Sequence, residues 1–119
     1  MMYDDSNIFA RILRGEIPAK KIYEDDHVLA FHDAFPKAPL HALIIPKGKY
    51  INIDEFSKKA SEEEIIAFYR AIPKVVEALG LGEKGFRTIA NTGPDGGQEV
   101  PHFHIHIIGG KNIGPMVSA

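Results

Sequence analysis

His102-Phe103-His104-Ile105-His106-Ile107-Ile108, near the end of a 119-residue chain, alternates imidazoles with apolar side chains. Successive side chains of an extended strand point to opposite faces. His102, His104 and His106 are therefore expected on one face, looking together into a cleft or solvent, with Phe103, Ile105 and Ile107 packed beneath a helix on the other. A neutral imidazole attacks phosphorus readily near pH 7, because its ordinary pKa is about 6.5. The central His104 is best placed for that attack, since one neighbour can orient it while the other stabilises or protonates. Just upstream, the glycines of Thr92-Gly93-Pro94-Asp95-Gly96-Gly97 free the backbone to turn N–H groups toward an anion. Such a nest holds a phosphate without a basic side chain.

Zinc chemistry is the rival reading. Histidines at i and i+2 of a strand can share one ion, but i and i+4 lie ~13 Å apart at strand rise. His41 or His32 would have to supply the missing ligand, and no Asp, Glu or Cys cluster has ligand spacing in the sequence. No metal and no other cofactor is assigned. A polar strand face without function is the plainest alternative. The chain has no cysteine, which excludes disulfides, thiol catalysis and thiolate zinc sites. Fourteen Lys and Arg against sixteen Asp and Glu leave a net charge of −2, without the basic surplus of a nucleic-acid binder. No apolar run approaches the ~20 residues of a membrane span, and Met1-Met2-Tyr3-Asp4-Asp5 lacks the marks of a signal peptide. A cytoplasmic protein with no membrane or nucleic-acid partner is expected.

The elements that must position these residues are legible as patterns. Residues 1–119 read as one domain, without repeat or linker. Ser6 is expected to cap a short helix whose apolar face is Ile8, Phe9, Ile12 and Leu13, with Gly15 as its stop. Strands are expected over 21–24 and 27–32, joined by a turn at Asp25-Asp26, and over 41–46. Ser61 and Glu64 form a capping box that opens a long helix. Ile65, Phe68, Tyr69, Ile72, Val75, Val76 and Leu79 recur there at helical period, Gly80 closes it, and Pro73 is expected to kink it. Strands over 85–91 and 100–108 complete an α+β domain with an antiparallel sheet of about five strands, one long helix and one short.

In the segment from His102 to Ile108 the sequence resembles the histidine triad family, Hint branch, whose pattern His-φ-His-φ-His-φ-φ (φ apolar) it matches throughout. The resemblance extends from Ile8-Phe9 to Gly109-Gly110 and includes Glu16-Ile17-Pro18-Ala19-Lys20, Leu29-Ala30-Phe31-His32-Asp33, Ala38-Pro39, Ile44-Ile45-Pro46-Lys47 and Asp95-Gly96-Gly97-Gln98. It implies a HIT-like fold, a homodimer joined edge to edge, and a purine nucleotide substrate. By resemblance, His104 is the nucleophile that takes the nucleoside monophosphate, and His106 contacts the phosphate and assists the leaving group. His102 and His41 support them. Asp33 matches the carboxylate that accepts both ribose hydroxyls, and Phe9, Ile12, Ile17, Phe31 and His32 match the purine slot. Asn91, Gly97, Gln98 and Glu99 fall at the phosphate, Gly97 through its backbone N–H.

The activity so implied is hydrolysis of purine nucleoside 5′-phosphoramidates to AMP or GMP through a covalent nucleotidyl-histidine. Hydrolysis of dinucleoside polyphosphates is the alternative within enzymes, and a nucleotide-binding regulatory or scaffold protein with incidental turnover is the alternative outside them. Three positions depart from the family. Glu99 replaces a serine that bonds the leaving group, and Ala34 replaces a larger aliphatic residue beside the base. The chain lacks the tryptophan of the C-terminal tail, a neighbourhood left to Met116.

Overall fold

The structure, a computed structural model, describes residues 2–117. Its strands are β1 (Lys21–Glu24), β2 (Val28–His32), β3 (Leu40–Pro46), β4 (Phe86–Ile89) and β5 (Ile105–Gly109). They form one antiparallel sheet in the order β1-β2-β3-β5-β4. The β1–β2 turn is tied by Asp25, whose Oδ1 accepts from the N–H groups of His27 and Val28.

Three helices accompany the sheet: α1 (Ile8–Leu13), α2 (Ile53–Lys59) and α3 (Glu62–Leu79). The Ser61–Glu64 capping box opens α3, and Gly80 closes it at φ 69°, a left-handed conformation that glycine adopts at little cost. The helix lays Phe68, Ala71, Val75 and Val76 against Val28, Ala30, Ala42, Ile44, Ile105 and Ile107, joined by Phe56 of α2 and by Phe103. On the opposite face Leu29, Phe31, Leu43 and Ile45 pack against Phe9 of α1. Strand alternation thus buries apolar residues on both faces.

The site lies on the face shared with α1, and register explains why. Phe31, Leu43, His106 and Ile89 are directly paired across β2, β3, β5 and β4. His106 therefore stands in the row of side chains that contains Leu43. His41, two residues before Leu43, points to the same side.

Several expectations need correction. The first helix is capped by Asn7, whose side chain accepts from Ala10 N–H, while Ser6 bonds Asp4 instead. Ile8 is exposed rather than on the buried face. Helix α2 was not expected, because only Ile53 and Phe56 among its seven residues are apolar and so short a segment shows no period. Its signal was the Asn52–Glu55 pair: Asn52 accepts from Glu55 N–H, and Glu55 accepts from Ile51 N–H. Pro73 lies inside α3, which runs on through it from Glu62 to Leu79. The carbonyl it strips of a partner is that of Tyr69, an exposed residue, where water can replace the lost bond. Tyr69 is itself 60% exposed, contrary to its place in the apolar series. The last strand begins at Ile105, not Val100, so His102 and His104 precede it in irregular backbone.

Candidate active site

His104 lies in a pocket also lined by Phe9, His41, His106, Asp33 and Glu99. The ring centroids of His104 and His106 are 5.1 Å apart, those of His41 and His106 5.2 Å. His102, expected in the cleft, is wholly buried beneath it. Its position follows from the chain leaving the strand: Phe103 N–H bonds the Tyr50 carbonyl at 2.7 Å, outside the sheet ladder. Phe103 still points into the helix-covered core, against Phe56 and Phe68.

The hydrogen bonds fix the tautomers of the four neutral imidazoles His41, His102, His104 and His106. His104 Nδ1 lies 2.7 Å from the His102 carbonyl, which can only accept, so Nδ1 carries the hydrogen and Nε2 keeps its lone pair. His102 Nε2 donates to the Pro46 carbonyl at 2.8 Å, so its Nδ1 accepts from the Tyr3 hydroxyl at 2.6 Å. His41 Nδ1 accepts from Lys37 N–H at 3.0 Å, so its Nε2 carries the hydrogen. That N–H faces His106 Nδ1 at 2.9 Å and Asp33 Oδ2 at 3.4 Å. His106 is left with its hydrogen on Nε2.

Burial keeps these imidazoles neutral. It pushes His102 down to about 4, against the stabilising Pro46 carbonyl. It pushes His106 down to about 4 as well, helped by the neighbouring His104 and His41. His104 is lowered by burial, with partial opposition from the His102 carbonyl and from Asp33 and Glu99. His41 is lowered by burial against the pull of Asp33.

The other expected site residues divide into groups. Phe9 reaches the pocket and meets His104 edge to face, with centroids 4.9 Å apart. Phe31 lies behind Phe9 in the core, and Ile12 packs at the margin of the same cluster. Ile17 is half-buried, and His32 is exposed at the end of β2. Asp33 uses Oδ1 to accept Phe35 N–H, leaving Oδ2 toward His41.

The glycine turn differs from an open nest. Gly93 N–H donates to Gln98 Oε1, Gly97 N–H to the Pro94 carbonyl and Gln98 N–H to the Gly93 carbonyl. Asn91 Nδ2 donates to the Gly96 carbonyl, and Gln98 Nε2 to the carbonyls of Ile51 and Val100. Asn91 and Gln98 therefore brace the loop, although Asn91 and Gly97 also line the pocket. A side chain at Gly96 would collide with the Thr92 backbone, which is why the turn closes so tightly.

Sequence reasoning missed Tyr3, whose contact with His102 spans 99 positions of chain and leaves no local pattern. It also missed Leu43, Phe35 and Lys37 at the pocket. Leu43 was recoverable from register with the triad strand, and Lys37 from its place four residues before His41.

Asp33, His41 and His106 bring one potential ligand atom each within 4.8 Å of one another. Their spacing in sequence hid this cluster. As bonded, His41 presents an N–H rather than a lone pair to its centre, so the donor set is one ligand short.

Residues 14–113 match the HIT domain family. An uncharacterised HIT-like protein of Azospirillum brasilense is 53% identical over 98% of this chain and 95% of its own. The purine nucleoside phosphoramidase of Escherichia coli K12 is 40% identical over 96% of this chain and 95% of its own. Among solved structures, a histidine triad protein from Clostridium difficile is 43% identical, covering 96% of this chain and 98% of its own, with a TM-score of 0.84. A HIT family hydrolase from Clostridium thermocellum, 39% identical, covers 97% and 99% at the same TM-score. By the triad segment, the sheet that carries it and this likeness along nearly the whole chain, the protein belongs to the histidine triad family.

Proposed function

We propose that the protein hydrolyses purine nucleoside 5′-phosphoramidates, releasing AMP or GMP through a nucleotidyl-histidine intermediate. The observation that carries this reading is His104, whose Nδ1 is held by a main-chain carbonyl so that the nucleophilic lone pair is on Nε2. The 40% identity to the E. coli phosphoramidase supports it. The purine rests on Phe9 over the Phe31 cluster, and the ribose hydroxyls reach Asp33 Oδ2. His104 Nε2 attacks the α-phosphorus, forming an N–P bond while the bond to the amine breaks and its electron pair leaves with the amine. The amine takes a proton from His106, which the bound phosphoryl anion favours in its charged form. Asp33 Oδ2, 3.4 Å from His41 Nε2, accepts the N–H that this extra proton displaces from His106. Water then attacks the phosphorus and returns a proton to His106, and the electron pair of the N–P bond goes back to His104.

Enzyme quenched in acid during turnover of adenosine phosphoramidate should carry adenylyl on the peptide containing His104. A substrate chiral at phosphorus should react with net retention, because two displacements invert twice. Inversion would replace the covalent intermediate with direct attack by water.

We infer further that the protein works in the cytoplasm as a homodimer. No helix among the described residues is long and apolar enough to cross a membrane. Strand β4 is an edge of the sheet, and beside it Tyr69, Ile72, Ile89 and Ala90 line an apolar depression that a second copy would cover. Sedimentation at micromolar concentration should give twice the chain mass, and a monomer would refute the pairing.

A further inference from the structure

Three charged side chains line the pocket: Asp33, Lys37 and Glu99. The two imidazoles lining it beside His104 are neutral near pH 7, and so is His104, because burial lowers all three. Before substrate binds, the pocket wall therefore carries two negative charges against one positive. Asp33 is engaged by Phe35 N–H and faces His41, and Lys37 donates to the Phe35 carbonyl. Glu99 is different. Among the described residues it takes part in none of the ion pairs. It is exposed on the pocket wall, and its charge is felt at His104.

An unpaired carboxylate beside the nucleophile repels each added negative charge on a substrate and attracts each positive one. A nucleoside phosphoramidate brings one negative charge at phosphorus, whereas a dinucleoside polyphosphate brings several. We propose that Glu99 selects the leaving group by charge, favouring amines that bear a second, positively charged group and turning away polyphosphate and carboxylate-bearing leaving groups. The selection rests on the phosphoramidase reading, and it names which phosphoramidates the pocket takes.

The test uses adenosine 5′-phosphoramidates of 1,2-diaminoethane, propylamine and β-alanine, with diadenosine triphosphate as a fourth probe. The first three share the bond that breaks and differ in leaving-group charge. For each enzyme kcat/KM is measured at low ionic strength, and the cationic-to-anionic ratio is compared between variants, so that intrinsic leaving-group reactivity cancels. Wild type should prefer the diaminoethane compound. Glu99→Gln should lower the ratio about tenfold, and salt should lower it in wild type by screening an exposed charge. Lys37→Gln, which removes the opposing charge, should raise the ratio. It remains informative if the Glu99 variant fails to fold.

A ratio within about twofold of wild type in a folded Glu99→Gln protein would overturn the proposal. So would a wild-type preference that salt leaves unchanged. Those results would leave the phosphoramidase reading standing. Failure of wild type to cleave any of the three amides would instead remove that reading, and this one with it.

Discussion

Two halves of the histidine cluster are held in different ways. His102 and His104 sit in irregular backbone and anchor a ring nitrogen on main-chain carbonyls, those of Pro46 and His102. His41 and His106 stand on the neighbouring strands β3 and β5 and bond each other, with the Asp33 carboxylate 3.4 Å from His41. A main-chain carbonyl survives a side-chain substitution, so the tautomer of His104 does not hang on the identity of one neighbouring side chain. The second pair depends on side chains that can be altered, and on charges close enough to retune it. The His102–His104 half is tied to main chain, and the His41–His106 half to side chains.

The sharpest way to break this contrast is to remove His104, the proposed nucleophile. His104→Ala should cut turnover of adenosine phosphoramidate by several orders of magnitude and leave the Kd for AMP within a few-fold. The proposed base and ribose contacts at Phe9 and Asp33 are left in place, so calorimetry should separate binding from chemistry. Loss of both together would mean that His104 holds the pocket open rather than attacking from it.

His106→Ala probes the other half. Loss of a positioned proton donor costs about 10²- to 10⁴-fold in rate. The loss should grow as the leaving amine becomes more basic, because a poorer leaving group needs the proton more. A loss independent of amine basicity would confine His106 to holding the phosphate.

The two halves also differ in how readable they were. His41 and His106 lie on regular strands, where alternation and register place His106 with Leu43 and bring His41 to the same face. His102 and His104 lie where the strand pattern fails, so periodicity put His102 on the open face with the others when it is buried below. The segregation of Phe103, Ile105 and Ile107 to the helix-covered core was readable nonetheless, because burial of an apolar row requires only that the chain keep its facing. Helix α3 was readable from its capping box and period. The short α2 and the contact of Tyr3 with His102 were not, since one is too brief for a period and the other joins the two ends of the chain.

Acid stability should expose the buried half. An unfolded histidine binds its proton near pH 6.5, whereas folded His102 does so only near pH 4. Between those values the unfolded chain holds the extra proton, so stability is full above about pH 6.5 and falls as pH drops through the window. A shift of that size corresponds to about 3 kcal/mol from His102. Urea unfolding from pH 7 to pH 4 should show the decline, and His102→Gln, whose side-chain amide can still reach the Pro46 carbonyl, should flatten it. An unchanged slope in that variant would mean that other groups carry the acid sensitivity.

Tyr3→Phe should produce the smallest effect and asks whether support of His102 extends to chemistry. The substitution keeps the ring, which packs edge to face on His102 at 5.6 Å, and removes only the hydroxyl bonded to Nδ1. A buried nitrogen left without its donor costs about 1–3 kcal/mol, to be read as a lower midpoint in denaturant. His102 then has a less strictly fixed ring, and its carbonyl is the group that holds the hydrogen of His104 Nδ1. His104 Nε2, the proposed attacking atom, should be misaligned in a fraction of molecules, lowering kcat by less than about tenfold while KM stays unchanged, since misplacement costs rate rather than binding. Measured well below the unfolding temperature, a purely structural role for Tyr3 would lower the midpoint and leave kcat intact. A fall in kcat at constant KM would show that the alignment of the His104 ring, though not its tautomer, depends on the Tyr3 hydroxyl.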